Sequence, residues 1–385
     1  MRSLEIFSGA GGLALGMKLA GFDHSALVEW NKDAYLTLKK NFSNIDLYNC
    51  DIRDFDYSKY REVDVISGGP PCQPFSLGGK HQGNLDDRDM FPLAIEGIRS
   101  IKPKAFIFEN VKGLLRKSFS EYFDYILLQL TYPFLEKLKN ERWENHLNRL
   151  RKIRIDKKYK EEEYSVEYKL VNAANYGVPQ KRERVIIVGI KKSLGIEWNF
   201  PEETHSKDRL LWDKYITGEY WEKLEVPKAD RLALSSKEEK IVIKLREKYG
   251  FFEPTLKPWV TVRKALFDLP DPELTISANS DHLYRAGAKI YPGHTGSFID
   301  EPSKTIKAGG HGVPGGENMI RFSDGSVRYF TILEAKRIQT FPDNYYISGA
   351  WSESMRQLGN AVPVNLAYKF SERLFKKIRQ PTMAI

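Results

Sequence analysis

The sequence predicts an α/β fold: a parallel sheet covered by helices on both faces, joined to a smaller irregular domain. Two observations predict it. The first 110 residues alternate short apolar runs with helix-like stretches, the rhythm of βαβ units. From about residue 200 that rhythm stops, and aromatic, Gly, Pro and basic residues take over. A chain of 385 residues has room for two domains on the usual size of roughly 100–200 residues each.

Strands are expected at 4–7, 26–30, 47–51, 63–67 and 105–109, with helices at 12–20, 32–41 and 90–101 between them. Two later strands are expected at 168–172 and 184–190. Between about 117 and 163 the texture becomes helical and highly charged. Leu138, Trp143, Leu147 and Leu150 there suggest one buried stripe. From 136 to 163, ten bases stand against seven acids, which favours a solvated face over a nucleic-acid surface. Gly309 to Gly316 reads as an extended loop. Pro363 suits a first helical turn, and Val364, Ala367, Tyr368, Leu374 and Phe375 then recur at helical spacing. The expected organisation is a large domain over 1–199 with a helical insertion at about 117–163, a small domain over 200–322, a hinge and late block over 323–355, and a C-terminal helix over 356–385 that returns to the large domain.

Composition narrows the function classes. The 41% hydrophobic content is ordinary for a globular chain with a core. No apolar run approaches the roughly 20 residues of a membrane span. The N-terminus carries Glu5 inside its apolar part and does not read as a signal peptide. Two cysteines, Cys50 and Cys72, give neither a disulfide framework nor a zinc site, which suits a reducing cytoplasm. A net charge of +9 leans toward a polyanionic partner.

Several strand ends carry chemistry. Gly68-Gly69-Pro70-Pro71-Cys72 follows an apolar run, so Cys72 sits in a rigid turn where open α/β sheets keep their active sites. It is a candidate nucleophile; the plain alternative is a turn containing a small apolar residue. Phe7-Ser8-Gly9-Ala10-Gly11-Gly12-Leu13 ends the first strand and lets a ligand approach backbone and helix N-terminus. Its glycine spacing departs from a dinucleotide fingerprint. Glu29 ends the second strand and could accept from ribose hydroxyls, Trp30 could cover an adenine, and Asp51 could meet its amino group. Singly, each is equally a turn or cap residue; together they suggest an adenosine-containing cofactor. Glu109 follows three apolar residues at the same edge as Cys72. Partly desolvated there, it would keep its proton more readily and could donate it. Arg182 and Arg184 flank Glu183 in an extended segment, which would turn both to one face and suits a carbonyl or phosphate. Ion pairing with Glu183 or an aspartate is the alternative.

These blocks, together with Gln180-Lys181-Arg182-Glu183-Arg184, the 328–343 stretch and Gly359-Asn360-Ala361-Val362-Pro363, occur in the order of a known family. The chain resembles a bacterial-type DNA (cytosine-5) methyltransferase over positions 4 to about 370. The resemblance implies a Rossmann-like, S-adenosylmethionine-dependent mixed sheet with a small target-recognition domain, here about 200–322. It implies Cys72 as a thiolate for carbon 6 of cytosine, Glu109 at N3 and the exocyclic amine, Arg184 at the ring carbonyl, and Arg182 as support for pocket and thiolate. S-adenosylmethionine, leaving as S-adenosylhomocysteine, would meet Phe7, Gly9, Gly11, Gly12, Leu13, Glu29, Trp30, Asp51, Ile52, Gly69, Pro71, Phe91, Asn360 and Val362, with no metal. The target base must be flipped out of double-stranded DNA, and Gln73 and Ser76 would touch that DNA from a lid that closes over it. A cytoplasmic monomer on nucleoid DNA, without membrane attachment and with a restriction endonuclease for the same site, completes the family picture.

Three other readings fit less well. The transfer-RNA branch carries a further Cys in its variable region, and no cysteine follows Cys72 here. A DNA-binding regulator without catalysis would not need Cys72, Glu109 and both arginines. An NAD-dependent oxidoreductase lacks support from the glycine spacing.

Overall fold

The computed structural model describes residues 1–71, 89–156, 159, 161–231, 234–275, 279–308 and 318–379. Cys72, Gln73, Ser76 and the 309–316 loop lie outside the described residues. The chain forms two compact units. The first comprises Met1–Val171, Glu183–Pro201 and Ala367–Ile385; the second comprises Asn172–Arg182 and Glu202–Leu366.

The first unit is built on β1 (Arg2–Ile6), β2 (Asp23–Val28), β3 (Asp46–Tyr48), β4 (Val65–Gly68), β5 (Ala105–Val111), β6 (Tyr164–Asn172) and β7 (Glu183–Lys191), in spatial order β3-β2-β1-β4-β5-β7-β6. The pairs β2–β3, β1–β2, β1–β4 and β4–β5 are parallel. β7 runs antiparallel to β5, so the sheet is mixed, where the βα rhythm alone predicted a parallel one. That rhythm holds only as far as β5, because a short 3-10 turn and a loop rather than a crossover helix join β6 to β7.

Register positions the chemistry. Ile6 lies beside Val28 and Gly68, and Gly68 lies beside Phe108. The next residues in the four strands, Phe7, Glu29, Gly69 and Glu109, therefore line up along one carboxyl edge. Gly68 has no alternative: a Cβ there would sit 2.3 Å from the Ile6 carbonyl oxygen.

Helices α1 (Gly12–Leu19), α2 (Lys32–Asn41) and α3 (Phe91–Ile101) connect the parallel strands. Asn31 caps α2 by accepting from the Ala34 amide at 3.0 Å, and Pro92 opens α3. Leu4, Ile6, Ile66, Phe106, Phe108, Val185 and Ile187 meet the buried residues of α3 in the main core. The insertion forms α4 (Ser120–Thr131) and α5 (Trp143–Asp156), which share a small core of Tyr125, Leu128, Tyr132, Leu147 and Leu150. Leu138 is not in that stripe; it precedes α5 and is 62% exposed. Arg149 pairs with Glu141, and Arg151 with Asp124, so two of the insertion's bases serve its own structure.

The second unit is more regular than its sequence texture predicts. It contains the two-residue strands β8 (His205–Ser206) and β9 (Lys257–Pro258), and helices α6 (Lys207–Tyr215), α7 (Glu219–Lys223), α8 (Ser236–Tyr249) and α9 (Val262–Leu266). Ser206, Ser235 and Thr261 cap α6, α8 and α9 with their hydroxyls, and Glu238 completes a capping box. Asp300 is fully buried and receives Arg263 at 2.6 and 3.0 Å and the Tyr220 hydroxyl at 2.8 Å. A small sheet of β10 (Ser297–Phe298), β11 (Met319–Arg321) and β12 (Val327–Tyr329) follows, then α10 (Ile332–Ile338) and α11 (Trp351–Asn360).

The last helix, α12 (Val364–Arg379), belongs to the first unit from Ala367 onward. There it packs on α1, where a Cβ on Gly16 would lie 2.4 Å from the Ala367 Cβ and 2.7 Å from the Tyr368 amide nitrogen. No described helix is long and apolar enough to cross a membrane. Alanine favours a helix over glycine by about 1 kcal/mol, whereas forcing atoms into a packed contact costs about 1–3 kcal/mol. Gly16→Ala is therefore expected to destabilise the protein, read as a lower urea midpoint; an unchanged or higher midpoint would show that α1 and α12 are not in close contact.

Candidate active site

The edge of the sheet bends sharply after β1. Phe7, Gly9 and Gly11 all take left-handed backbone conformations, with φ of 56°, 54° and 80°. Among the described residues nothing lies within 4 Å of the position a Gly9 Cβ would occupy, so they leave the turn open on that side. Gly12 begins α1, whose N-terminus has no side-chain cap, and Leu13 is buried one residue on. Glu29 is 7% exposed. Its Oε2 accepts from the Gly9 amide at 2.7 Å and its Oε1 from the Asn31 amide at 2.8 Å. One carboxylate thus joins the glycine turn to the start of α2. Trp30 beside it is 75% exposed, a flat apolar surface facing outward. Asp51 caps a short 3-10 turn, accepting from the Arg53 amide at 2.9 Å and pairing with its guanidinium at 2.9 Å; Ile52 is buried below. Phe91 is fully buried, Gly69 half-buried and Pro71 exposed. An open left-handed glycine turn, a buried acid beneath it and an exposed indole fit an adenosine-bearing ligand. Among the described residues no cluster of His, Cys, Asp or Glu could hold a metal ion.

Glu5 was not singled out in the sequence, yet it is 1% exposed below the same turn. Its only sequence signal is a charge between Leu4 and Ile6 in an apolar strand. Ser67 donates to its Oε2 at 3.2 Å. Burial pushes the Glu5 carboxyl up to about 8, raised further by the charge of Glu29 and opposed by hydrogen bonds from Ser67 and the Ala14 backbone.

Glu109, 8% exposed, meets Arg184 across the antiparallel pair β5–β7. Arg184 lies opposite Val111, on the same face as Glu109 and diagonal to it. Its Nε is 2.6 Å from Glu109 Oε1 but not aligned along the N–H, so the contact is an ion pair more than a directed hydrogen bond. Burial pulls the Arg184 guanidinium below its ordinary value, and the Glu109 charge opposes that. Glu183, the sequence's other candidate partner, pairs instead with Lys112 at 2.8 Å. Glu109 Oε2 would lie 3.5 Å from a Cβ on Gly69, three residues before Cys72. Asn110, buried next to Glu109, donates to the Pro70 carbonyl at 2.9 Å and so holds that turn.

Arg182 does a different job from the paired role its spacing suggested. In the second unit it is fully buried, with its guanidinium on the carbonyls of Ile306 (3.4 Å), Gly359 (2.8 Å) and Ala361 (3.0 Å). The bonds to Gly359 and Ala361 bracket Asn360, which is exposed at the end of α11, and precede the buried Val362.

The sign of the Glu5 effect follows from linkage. An acid whose folded pKa is raised keeps in the folded state a proton that the unfolded chain has lost. Its stabilisation therefore falls as pH rises from the ordinary carboxyl range toward about 8. Buried His24 and His146, both pulled downward by burial, act below their ordinary value of 6.5 and in the opposite sense. Between pH 6.5 and 8 the stability of the wild type is expected to drop relative to Glu5→Gln, by up to about 1.4 kcal/mol per pH unit. Parallel stability curves for the two proteins in urea titrations would refute this.

The profile of the family described as C-5 cytosine-specific DNA methylase matches residues 1–132 and 136–376. The chain is 32% identical over 369 residues to the Type II methyltransferase M.Eco47II of Escherichia coli, covering 95% of this chain and 76% of that one. It is 32% identical over 381 residues to the Type II methyltransferase M.Sau96I of Staphylococcus aureus, covering 98% and 76%. The crystal structure of the Dnmt2 methyltransferase of S. pombe superposes with a TM-score of 0.55 at 16% identity, over 98% of each chain, a likeness of fold. With this match along almost its whole length, the chain belongs to the C-5 cytosine-specific DNA methylases.

Proposed function

We propose that this DNA (cytosine-5) methyltransferase works through a covalent bond between Cys72 and a cytosine flipped out of duplex DNA. Carbon 5 of cytosine is a poor nucleophile. Addition of the Cys72 thiolate to carbon 6 moves the ring's π pair toward carbon 5 and makes it enamine-like. S-adenosylmethionine, the methyl donor the family implies, supplies a sulfonium methyl when bound. Carbon 5 takes the methyl; the carbon-5 proton then passes to water and the Cys72 sulfur leaves carbon 6, restoring the aromatic ring. Glu109 meets N3 and the exocyclic amine as charge develops on the ring, and Arg184 takes the ring carbonyl.

The observation that carries this reading is the Glu109–Arg184 pair. Two buried, oppositely charged groups lie 2.6 Å apart at the end of β5, with the other Glu109 oxygen turned toward Gly69 and the turn that leads to Cys72. A cytosine edge presents an amine and ring nitrogen beside a carbonyl, the pattern such a pair recognises. Arg182 supports the reading as a brace for Asn360 and Val362, which we assign to the cofactor side together with Gly9, Glu29 and Trp30. The similarity to Type II methyltransferases supports a role as the modification enzyme of a restriction–modification system. Residues of about 200–322 would then read the DNA sequence, and no metal takes part.

Cys72→Ser is expected to abolish transfer of a labelled methyl group while leaving DNA binding intact; wild-type turnover in that variant would sink the mechanism. Cytosine fluorinated at carbon 5, placed in the recognised site, is expected to trap a covalent complex at Cys72, because fluorine cannot leave as the proton does. Trapping at Cys50 would refute the assignment. Bisulfite sequencing of DNA from cells expressing the protein identifies the target base and its sequence together.

A further inference from the structure

We propose that Tyr122 is a positioning residue for methyl transfer: through Asp89 it fixes the return end of the segment whose outgoing end leads to Cys72. The inference rests on Cys72 as nucleophile. The outgoing end is anchored by Asn110, whose side chain holds the Pro70 carbonyl at 2.9 Å. The return end closes on it directly, because the Met90 amide donates to the Pro71 carbonyl at 3.1 Å. The residue immediately before Cys72 is therefore bonded to Met90, and whatever fixes Met90 also fixes Pro71.

Asp89 supplies that fixation. Its Oδ1 accepts from the Phe91 amide at 3.2 Å, tying it to the start of α3. Its Oδ2 accepts a hydrogen bond from the Tyr122 hydroxyl on α4. Tyr122 in turn packs edge-on against Trp143 of α5, with ring centroids 5.3 Å apart, and against Tyr125 at 5.8 Å. A ring so held has already lost its rotamer freedom, so the bond to Asp89 costs little further order. The insertion of α4 and α5 thus acquires a role in the reaction: its aromatic core sets the Tyr122 hydroxyl, the hydroxyl sets Asp89, and Asp89 sets the backbone next to the nucleophile. Reaction rates depend steeply on such placement, since small displacements of a reacting group cost about 10²-fold.

The test compares wild type, Tyr122→Phe, Asp89→Ala and the double variant by single-turnover methyl transfer and by the rate of adduct formation with fluorinated cytosine. Tyr122→Phe is expected to slow both by about tenfold, the value of one hydrogen bond to a carboxylate. Affinity for S-adenosylmethionine and KM for DNA should stay within about twofold of wild type. In the Asp89→Ala background the same substitution should slow neither step further, because both changes remove one bond. Trp143→Ala should slow the reaction in the same direction by leaving the ring unbacked. A Tyr122→Phe variant with wild-type rates, whatever its melting temperature, overturns the proposal. So does equal slowing in the Asp89→Ala background, which would send Tyr122's effect through another route. Cys72→Ser separates the two readings: if it keeps turnover the nucleophile is wrong, and if it is inactive while Tyr122→Phe is unimpaired, only the role of Tyr122 fails.

Discussion

Parallel strands that end level with one another leave their next residues side by side, and the chemistry of the first unit depends on that constraint. Ile6, Val28, Gly68 and Phe108 share one level across β2, β1, β4 and β5. The glycine turn, the acid of β2, the approach to Cys72 and the acid of β5 follow from it without further arrangement. The level is enforced at Gly68, where any side chain would strike the Ile6 carbonyl. A larger residue there would separate β4 from β1 and break the row between Phe7 and Gly69. The edge is thus assembled by backbone pairing, and its precision is that of a hydrogen-bonded sheet rather than of loops.

The same constraint crowds acids into a region that excludes water, and three different devices keep them there. A buried carboxylate without partners is expensive. Glu29 spreads its charge over two backbone amides, those of Gly9 and Asn31. Glu109 takes an arginine from the antiparallel strand. Glu5, deepest of the three, is pushed toward its neutral form by burial and by the charge on Glu29. The devices are not interchangeable. An arginine beside Glu29 would occupy the open side of the Gly9 turn, whereas Glu109 receives its arginine from across the β5–β7 pair.

Much of the α/β framework is legible in the sequence, because strands buried on both faces read as continuous apolar runs and their helices carry a clear period. β1, β4 and β5 and helices α1 to α3 fall close to their expected spans. The less legible elements have physical reasons. β3 is only three residues long and half-buried, so Asp51, expected at its end, instead caps the turn that follows. β6 begins at Tyr164, earlier than expected, because its charged outward positions hide the strand. The helices of the second unit are short and held by hydroxyl caps and the buried Asp300 cluster, whose partners are far apart in sequence. In the site, strand ends reveal Glu29 and Glu109 as candidates, but their partners depend on antiparallel register and on contacts spanning tens of residues. Asn110, Asp89 and Tyr122 look in sequence like ordinary strand-end, loop and helix residues.

The arginine pair shows why spacing alone misleads. Residues 182 and 184 alternate about Glu183, and alternation predicts one shared face. That argument holds only while the segment stays a strand. β7 begins at Glu183, and Arg182 belongs to the 172–182 segment of the other unit, where the Asn172 side chain holds its amide and Ala173 bonds its carbonyl. Two residues of like chemistry are thereby sent to different tasks at one boundary. Arg184 lies beside Glu109 at the end of β5, while the Arg182 guanidinium donates to the Ile306 carbonyl and to the two carbonyls that flank Asn360, those of Gly359 and Ala361. The rigid, forked guanidinium is what makes the second task possible, because a lysine could not reach carbonyls on both sides of Asn360 in fixed directions.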